Sequence, residues 1–310
     1  MTIGIAASGP RAGAAVRAAV LGAELLGRGA IGGFAVYAVL DEHGRPHYCT
    51  TQRGGIGHAA IPEAWLDASV AAAISSGPDR PEPLVQFLPG AEGVGLVAGH
   101  RLPNRPGADG VPLNQAVLSR LAAGQAPQQA LDAVLAANAE ADAGLVAVSA
   151  RGELGWGNSA RVARRSDRGE AHRRDASGSL ALLHNSIYSY VPQGLADALA
   201  ELAWAQIQGR PAGWQFLALR APVAIRPAAR DRVLVDAAGA IVALETADPH
   251  VPMLNRRGTA IYLGAEVWLG ERKVGRIATE LYADLAAGMA HPLPGAAQHT
   301  ILMRAGDVAA

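Results

Sequence analysis

The chain is poor in several residue types, and each shortage excludes a class of function. Cys49 is the only cysteine among 310 residues, so no intramolecular disulfide can hold a small secreted fold together. Lys273 is the only lysine, and the Gly-Lys-Ser/Thr run of a P-loop is absent. No Gly-x-Ser-x-Gly segment occurs, which argues against a serine enzyme of the α/β-hydrolase type.

An excess of charge and long apolar runs are also missing. The 27 basic and 27 acidic residues balance, whereas nucleic-acid and anionic-membrane partners normally require a basic excess. No uninterrupted apolar stretch of about eighteen residues appears, so no transmembrane helix is expected. The first ten residues, MTIGIAASGP, lack the basic segment of a signal peptide. We therefore expect a cytoplasmic protein.

Half of the residues are apolar, which is enough to build a substantial core without metal or disulfide. We expect a core domain over residues 1–210 and a β-rich subdomain over 211–310. Hydrophobic patterning predicts helices that include 12–26, 62–74 and 279–289. It also predicts two hairpins, FAVYAVL with RPHYCTT and AGLVAVS with ELGWGNS, which favour mixed or antiparallel sheets over a Rossmann fold.

Two segments resemble the N-terminal-nucleophile (Ntn) hydrolases, which include proteasome subunits and γ-glutamyl transferases. The chain opens with Met1-Thr2 and runs directly into a strand, as in one Ntn-like family. A later segment has that family's order of helix, acidic residue, strand, glycine turn and strand: PQQALDAVLAANAEADAGLVAVSARGELGWGNSARV. The resemblance covers residues 1–163. It implies an α+β fold, a four-layer α-β-β-α sandwich, here followed by a β-rich C-terminal extension.

Thr2 is the candidate nucleophile both by this resemblance and by its own chemistry. Methionine is normally removed before a small second residue, which would leave Thr2 with a free α-amine. Because such an amine has a pKa of about 8, it can accept the proton of the hydroxyl on the same residue. We therefore expect hydrolysis of the C–N bond of a small amide or cyclic amide.

Polar residues near the predicted hairpins are candidates for the rest of the site. Thr51, Arg53 and Gly54 lie where the first hairpin ends, and we expect them to bind the substrate. Arg28 is a further candidate for substrate binding, and its charge is expected to lower the pKa of the terminal amine. Asn158 ends the second hairpin and is the candidate oxyanion donor. Turn formation explains the same residue types equally well.

Two other interpretations are open. Proteasome-type enzymes place a lysine beside the threonine, and its absence from the first 272 residues favours a non-catalytic Ntn-like protein that binds a ligand or forms oligomers. Cys49 with His47 or His58 would suit a cysteine hydrolase, whereas no histidine or cysteine spacing typical of a metal site occurs. We expect no cofactor and no metal, a small-molecule substrate, and assembly as a homo-oligomer.

Overall fold

The computed structural model describes residues 1–28, 31–77, 79–211, 213–295 and 299–306. The chain divides into two compact units, Met1–Arg210 and Pro211–Ala310. Among the described residues, every α-helix belongs to the first unit: α1 Ala12–Leu26, α2 Leu113–Ala122, α3 Pro127–Ala137, α4 Ala160–Ala163 and α5 Leu195–Gln208.

Ten strands form two antiparallel sheets in the first unit: β1 Thr2–Ser8, β2 Phe34–Leu40, β3 Pro46–Thr51, β4 Val70–Ser76, β5 Gly90–Ala91, β6 Gly95–Arg101, β7 Ala143–Ser149, β8 Leu154–Asn158, β9 Arg168–Asp175 and β10 Gly178–Asn185. The six-stranded sheet has the order β3-β2-β4-β1-β10-β9, and the four-stranded sheet has the order β5-β6-β7-β8. Both predicted hairpins are confirmed as the pairs β2–β3 and β7–β8.

The two sheets of the first unit face each other across an apolar interior that includes Phe34, Ile74, Leu96 and Val146. Helices α1 and α5 pack on the six-stranded sheet, and α2 and α3 pack on the four-stranded sheet. The sheets approach closely at Gly4, where a Cβ atom would lie 2.2 Å from the carbonyl oxygen of Gly99. A larger residue at this position would push the sheets apart.

Strand β1 lies near the middle of the six-stranded sheet, between β4 and β10. Its side chains alternate, so Thr2, Ala6 and Ser8 face the four-stranded sheet while Ile3 and Ile5 face the helices. Both ends of the strand therefore direct a hydroxyl group into the space between the sheets.

The described residues of the second unit form ten further strands: β11 Trp214–Ala218, β12 Val223–Pro227, β13 Arg232–Val235, β14 Ile241–Thr246, β15 Arg256–Ile261, β16 Glu266–Leu269, β17 Arg272–Ile277, β18 Leu281–Ala286, β19 Met289–His291 and β20 Thr300–Ala305. They form a single sheet with the order β11-β20-β17-β16-β13-β14-β12-β19-β18-β15. Its apolar core includes Ile225, Val267, Leu281 and Ile301.

The predicted fold class, an α+β four-layer α-β-β-α sandwich of the Ntn hydrolase type, is wrong for this chain. Strands hold about 40% of the residues against 23% in helices, and they form three sheets, the largest with ten strands. Two predicted helices are also wrong. Residues 62–74 instead contain a short 3₁₀ helix, Glu63–Asp67, and the first part of β4, and residues 279–289 contain β18 and the first residue of β19.

Candidate functional site

A row of polar side chains crosses the six-stranded sheet where β1 begins. Thr2 pairs with Ser76 of β4 on one side and with Asn185 of β10 on the other. Directly paired residues of antiparallel strands place their side chains on the same face. Thr2 is 2% exposed, Ser76 0% and Asn185 4%, so the row is buried within a mostly apolar interior. Buried polar groups require partners, and each member of this row has them.

Two hydrogen-bond donors converge on the carbonyl group that precedes Thr2. The Ser76 hydroxyl donates to the Met1 carbonyl oxygen at 2.8 Å, and the Gly77 backbone N–H donates to the same oxygen at 3.3 Å. Because the Ser76 proton is used in this way, the Thr2 hydroxyl donates to the Ser76 oxygen at 3.2 Å. A threonine hydroxyl thus lies beside a carbonyl group that two donors polarise.

Arg80 brings a positive charge to the same serine. Its Nη2 donates to Ser76 Oγ at 3.1 Å, and its guanidinium lies 6.0 Å from the centre of the Phe34 ring. Gln52 holds the Arg80 backbone from both sides, donating to its carbonyl at 2.6 Å and accepting from its N–H at 3.0 Å. The loop after β3 therefore positions Arg80.

The terminal amine of Met1 lies in surroundings that favour its neutral form. Burial lowers its pKa, and the charges of Arg80 and Arg101 lower it further, while Asp167 acts in the opposite direction. An amine must be neutral to accept a proton. This end of β1 therefore suits an amine that acts as a base.

His100 of β6 links this row to the four-stranded sheet. Its ring is 0% exposed, with Nδ1 3.1 Å from Asn185 Oδ1 and Nε2 2.6 Å from Asn158 Oδ1. Burial lowers the pKa of His100, while its hydrogen bonds to Asn158 and Asn185 act in the opposite direction. The ring therefore joins a carboxamide of each sheet and positions both side chains.

Two non-glycine residues beside the site have left-handed backbone angles. Arg101, at the end of β6, has φ 64°, and Ser186, directly after β10, has φ 53°. Arg101 is paired with Asp142, including Nη2 to Oδ2 at 2.9 Å, and Ser186 donates to Asp167. Such angles are costly for residues with a side chain and cluster at functional sites. Here an ion pair and a hydroxyl–carboxylate contact stabilise them.

The candidate oxyanion donor Asn158 is not directly at the Thr2 hydroxyl. Its Oδ1 contacts His100 at 2.6 Å, and its Nδ2 lies 3.4 Å from Glu170 Oε2. It joins the Thr2 row only through His100 and Asn185. The donors that meet a carbonyl next to Thr2 are instead Ser76 and Gly77.

The predicted substrate-binding residues occupy other positions. Thr51 donates through its hydroxyl to the Arg53 carbonyl at 2.8 Å, and the Arg53 side chain is 85% exposed and pairs with Asp79 at 3.1 Å. Gly54 has φ 90°, and its carbonyl lies 2.8 Å from Nδ1 of His58.

Arg28, predicted to act on the terminal amine, has its guanidinium 5.5 Å from the Tyr190 ring centre. Its backbone N–H donates to the Tyr188 carbonyl at 2.7 Å. The arginines that lower the pKa of the Met1 amine are Arg80 and Arg101.

Cys49 and the nearby histidines do not form a nucleophile pair. The Cys49 thiol donates to the Ala60 carbonyl at 3.2 Å, and burial raises its pKa, which disfavours the reactive thiolate. His47 is paired with Asp41 at 2.8 Å. Over the described ranges, no group of three or more His, Cys, Asp or Glu side chains is placed to hold a metal ion.

Sequence reasoning missed Ser76 and Arg80, and it did not place His100 or Asn185 beside Thr2. Arg80 lies in a proline-rich segment that follows β4. The available signals were polar residues at strand ends, Ser75-Ser76 after an alanine run and His184-Asn185-Ser186 after SLALL. Only the strand pairing, which joins residues 74 positions apart, brings these side chains together.

The fold and the site define a strand-rich protein whose first unit encloses a buried polar centre at the start of β1. The family profile described as a domain of unknown function, DUF6963, matches residues 2–216, and the chain belongs to that family. A second profile, the domain of unknown function DUF7259, matches residues 222–298. A comparison with curated proteins finds no match. Across the described residues, no helix is long and apolar enough to cross a membrane.

Proposed function

We propose that the chain, once Met1 is removed, hydrolyses the C–N bond of a small amide or cyclic amide with Thr2 as the nucleophile. One observation carries the proposal: the Ser76 hydroxyl and the Gly77 N–H both donate to a carbonyl oxygen beside the Thr2 hydroxyl. In the trimmed chain these two donors lose the Met1 oxygen and become available to a substrate carbonyl. They then form an oxyanion site next to the nucleophile.

In the proposed reaction, the free Thr2 amine takes the hydroxyl proton while Oγ1 attacks the substrate carbonyl carbon. The C–N bond breaks, and the leaving nitrogen takes that proton from the amine. The acyl group is then held as an ester on Thr2. Water attacks this ester with the amine again as base, which releases the carboxylic acid and restores the hydroxyl.

The electrostatics of the site support the amine as the base. At this end of β1, burial and the charges of Arg80 and Arg101 lower the pKa of the Met1 amine, and in the proposal they act in the same direction on the amine of Thr2. This arrangement does not need the lysine that proteasome-type enzymes place beside their threonine. The Arg80 guanidinium favours substrates that carry a carboxylate, since Arg–carboxylate contacts are strong and directional.

The test compares the trimmed protein with its Thr2→Ala and Thr2→Ser variants on a panel of small linear and cyclic amides, with and without a carboxylate. Mass spectrometry first establishes that Met1 is absent from each sample. We expect Thr2→Ala to reduce kcat by about 10³-fold or more, while Thr2→Ser keeps a measurable rate.

Equal turnover by wild type and Thr2→Ala would contradict the proposal. A trimmed chain that binds amides without turning them over would favour the second candidate, a non-catalytic binding protein. The burial of Thr2, at 2% exposed, is the observation that supports that candidate. We also propose that the activity is cytoplasmic, because Cys49 is a lone thiol. The expected homo-oligomer stays a prediction.

A further inference from the structure

A cavity lies at the end of the facing sheets opposite Thr2. Along β1, Thr2 and Ser8 are separated by six residue steps, or roughly 20 Å at the usual strand rise. Near Ser8, a cavity of about 580 Å³ opens between β8, β9, β10 and the start of α3. Its volume falls within the range of about 300–1,000 Å³ that is typical of small-molecule sites.

One side of this cavity is apolar and contains a flat ring. Pro127, Leu154, Trp156 and Leu180 contribute to the lining. The Trp156 ring stacks on His172 with a centroid distance of 4.7 Å and an interplanar angle of 29°. Gln128 fixes the strand that carries this tryptophan, since it accepts from the Trp156 N–H at 3.1 Å and donates to its carbonyl at 3.2 Å. The apolar side is therefore held in place by its neighbours.

The other side of the cavity carries positive charge. Arg151 and Arg174 line this cavity and also an adjoining one of about 400 Å³. Arg151 lies 3.6 Å from Glu153 in an exposed pair, which is a weak interaction. In the described part of the chain, no hydrogen bond or ion pair engages the Arg174 side chain. Its pairing with Ser179 places it on the face that looks toward the four-stranded sheet.

From this arrangement we infer that the cavity is a second binding site, for a small organic anion with a planar apolar ring, such as an aryl carboxylate. The ring packs against Trp156 and Leu154, which face the interior between the sheets, and the anionic group pairs with the Arg174 guanidinium. This site is independent of the proposed hydrolysis, because none of its residues belongs to the Thr2 row.

The test is isothermal titration of the full chain with naphthalene-2-carboxylate and with the neutral 2-naphthalenemethanol. Wild type and Thr2→Ala should bind the carboxylate equally. Arg174→Gln should weaken carboxylate binding by about tenfold or more, as expected for loss of a charge-assisted contact. The neutral compound should bind Arg174→Gln and wild type alike, because it makes only the apolar contacts.

Arg120→Gln is the matched control, since Arg120 lies on α2 and does not contribute to the lining of this cavity. It should leave carboxylate binding unchanged, and circular dichroism should show that both variants are folded. Failure of wild type to bind the carboxylate at millimolar concentration would overturn the inference. Equal binding by wild type and Arg174→Gln, or equal loss in Arg120→Gln, would overturn it as well.

Discussion

The two ends of β1 both direct a hydroxyl between the sheets, but their surroundings differ. At the first end, Thr2 lies in a buried row of polar side chains next to an amine and Arg80. At the other end, Ser8 donates to the Gly152 carbonyl at 2.7 Å and lies 2.9 Å from the Ser179 hydroxyl. A cavity opens beside Ser8. Two hydroxyl groups on one strand therefore have different hydrogen-bond partners and different electrostatic surroundings.

The comparison shows that reactivity depends on neighbours more than on the hydroxyl itself. A hydroxyl becomes a nucleophile when a base takes its proton and donors stabilise the resulting oxyanion. Only the Thr2 end has an amine with a lowered pKa and two donors on one carbonyl oxygen. Burying so many polar groups is costly, and proteins retain such arrangements mainly at functional sites.

The largest effect, a loss of kcat, is expected when Ser76 is replaced. Ser76 faces the site, whereas its neighbour Ser75 faces the helices and serves as the control. Ser76→Ala removes one oxyanion donor and should lower kcat about 10²-fold. Ser75 donates to Glu24 at 2.7 Å, so Ser75→Ala should reduce stability and leave kcat unchanged. Steady-state kinetics on both variants measures the difference. Equal losses of kcat would show that the two faces of β4 are not functionally distinct.

Glu24 should make the stability of the first unit depend on pH. Its carboxylate on α1 accepts from the Ile56 N–H at 2.9 Å and from the Ser75 hydroxyl, and burial raises its pKa from 4.5 to about 7. The side chains of Arg17 and His58 interact electrostatically with the same carboxylate. The folded state thus holds a proton that the unfolded state releases.

The free energy of unfolding should therefore fall as pH rises from 4.5 to about 7, by about 3 kcal/mol. Urea unfolding of wild type and Glu24→Gln across this range isolates the contribution of this single group. The difference between the free energies of unfolding of wild type and Glu24→Gln should change with pH. Parallel curves would mean that the Glu24 carboxyl titrates normally.

A smaller effect, on KM, is expected when Arg80 is replaced. Arg53 is the arginine used as the matched control. Arg80→Gln should raise KM about tenfold for amides that carry a carboxylate and change KM little for neutral amides. Arg53 is 85% exposed and pairs with Asp79, so Arg53→Gln should change neither. If Arg53→Gln has the larger effect on KM, the substrate binds at the loop that the sequence indicated.

The smallest effect is expected at Ser8. Ser8→Ala leaves the Gly152 carbonyl without this donor and should cost about 1 kcal/mol of stability by urea unfolding. It should leave kcat unchanged, because Ser8 lies at the end of β1 opposite Thr2. A large loss of activity in this variant would contradict the separation of the two ends.

Much of the first unit was predictable from sequence, because its local signals agree with its fold. The alanine- and leucine-rich segment before Gly27 forms α1, and the glycine-containing turn at Gly44 joins the first hairpin. The alanine run at 71–73 misled the prediction, since alanine favours helices. In the structure the small side chains lie at the centre of a sheet, where tertiary packing overrides propensity.

The second helix error has a different cause. Residues 281–286 alternate between buried and exposed, with Leu281, Ala283 and Leu285 inward, which is the period of a strand. The site was less predictable than the fold. Thr2 was proposed from the resemblance and from its own chemistry, whereas Ser76, Arg80 and His100 are distant in sequence, and only sheet pairing and packing bring them to Thr2. No local pattern encodes that pairing.

The most direct test of Thr2 as nucleophile is to trap it covalently. The trimmed protein would be treated with a β-lactone that carries a carboxylate, because ring opening by a hydroxyl adds the whole reagent as an ester. Peptide mass spectrometry should find one equivalent on the peptide that begins at Thr2, and no such adduct in Thr2→Ala. Absence of this adduct from a chain that has lost Met1, or equal labelling at other hydroxyls, would contradict the account.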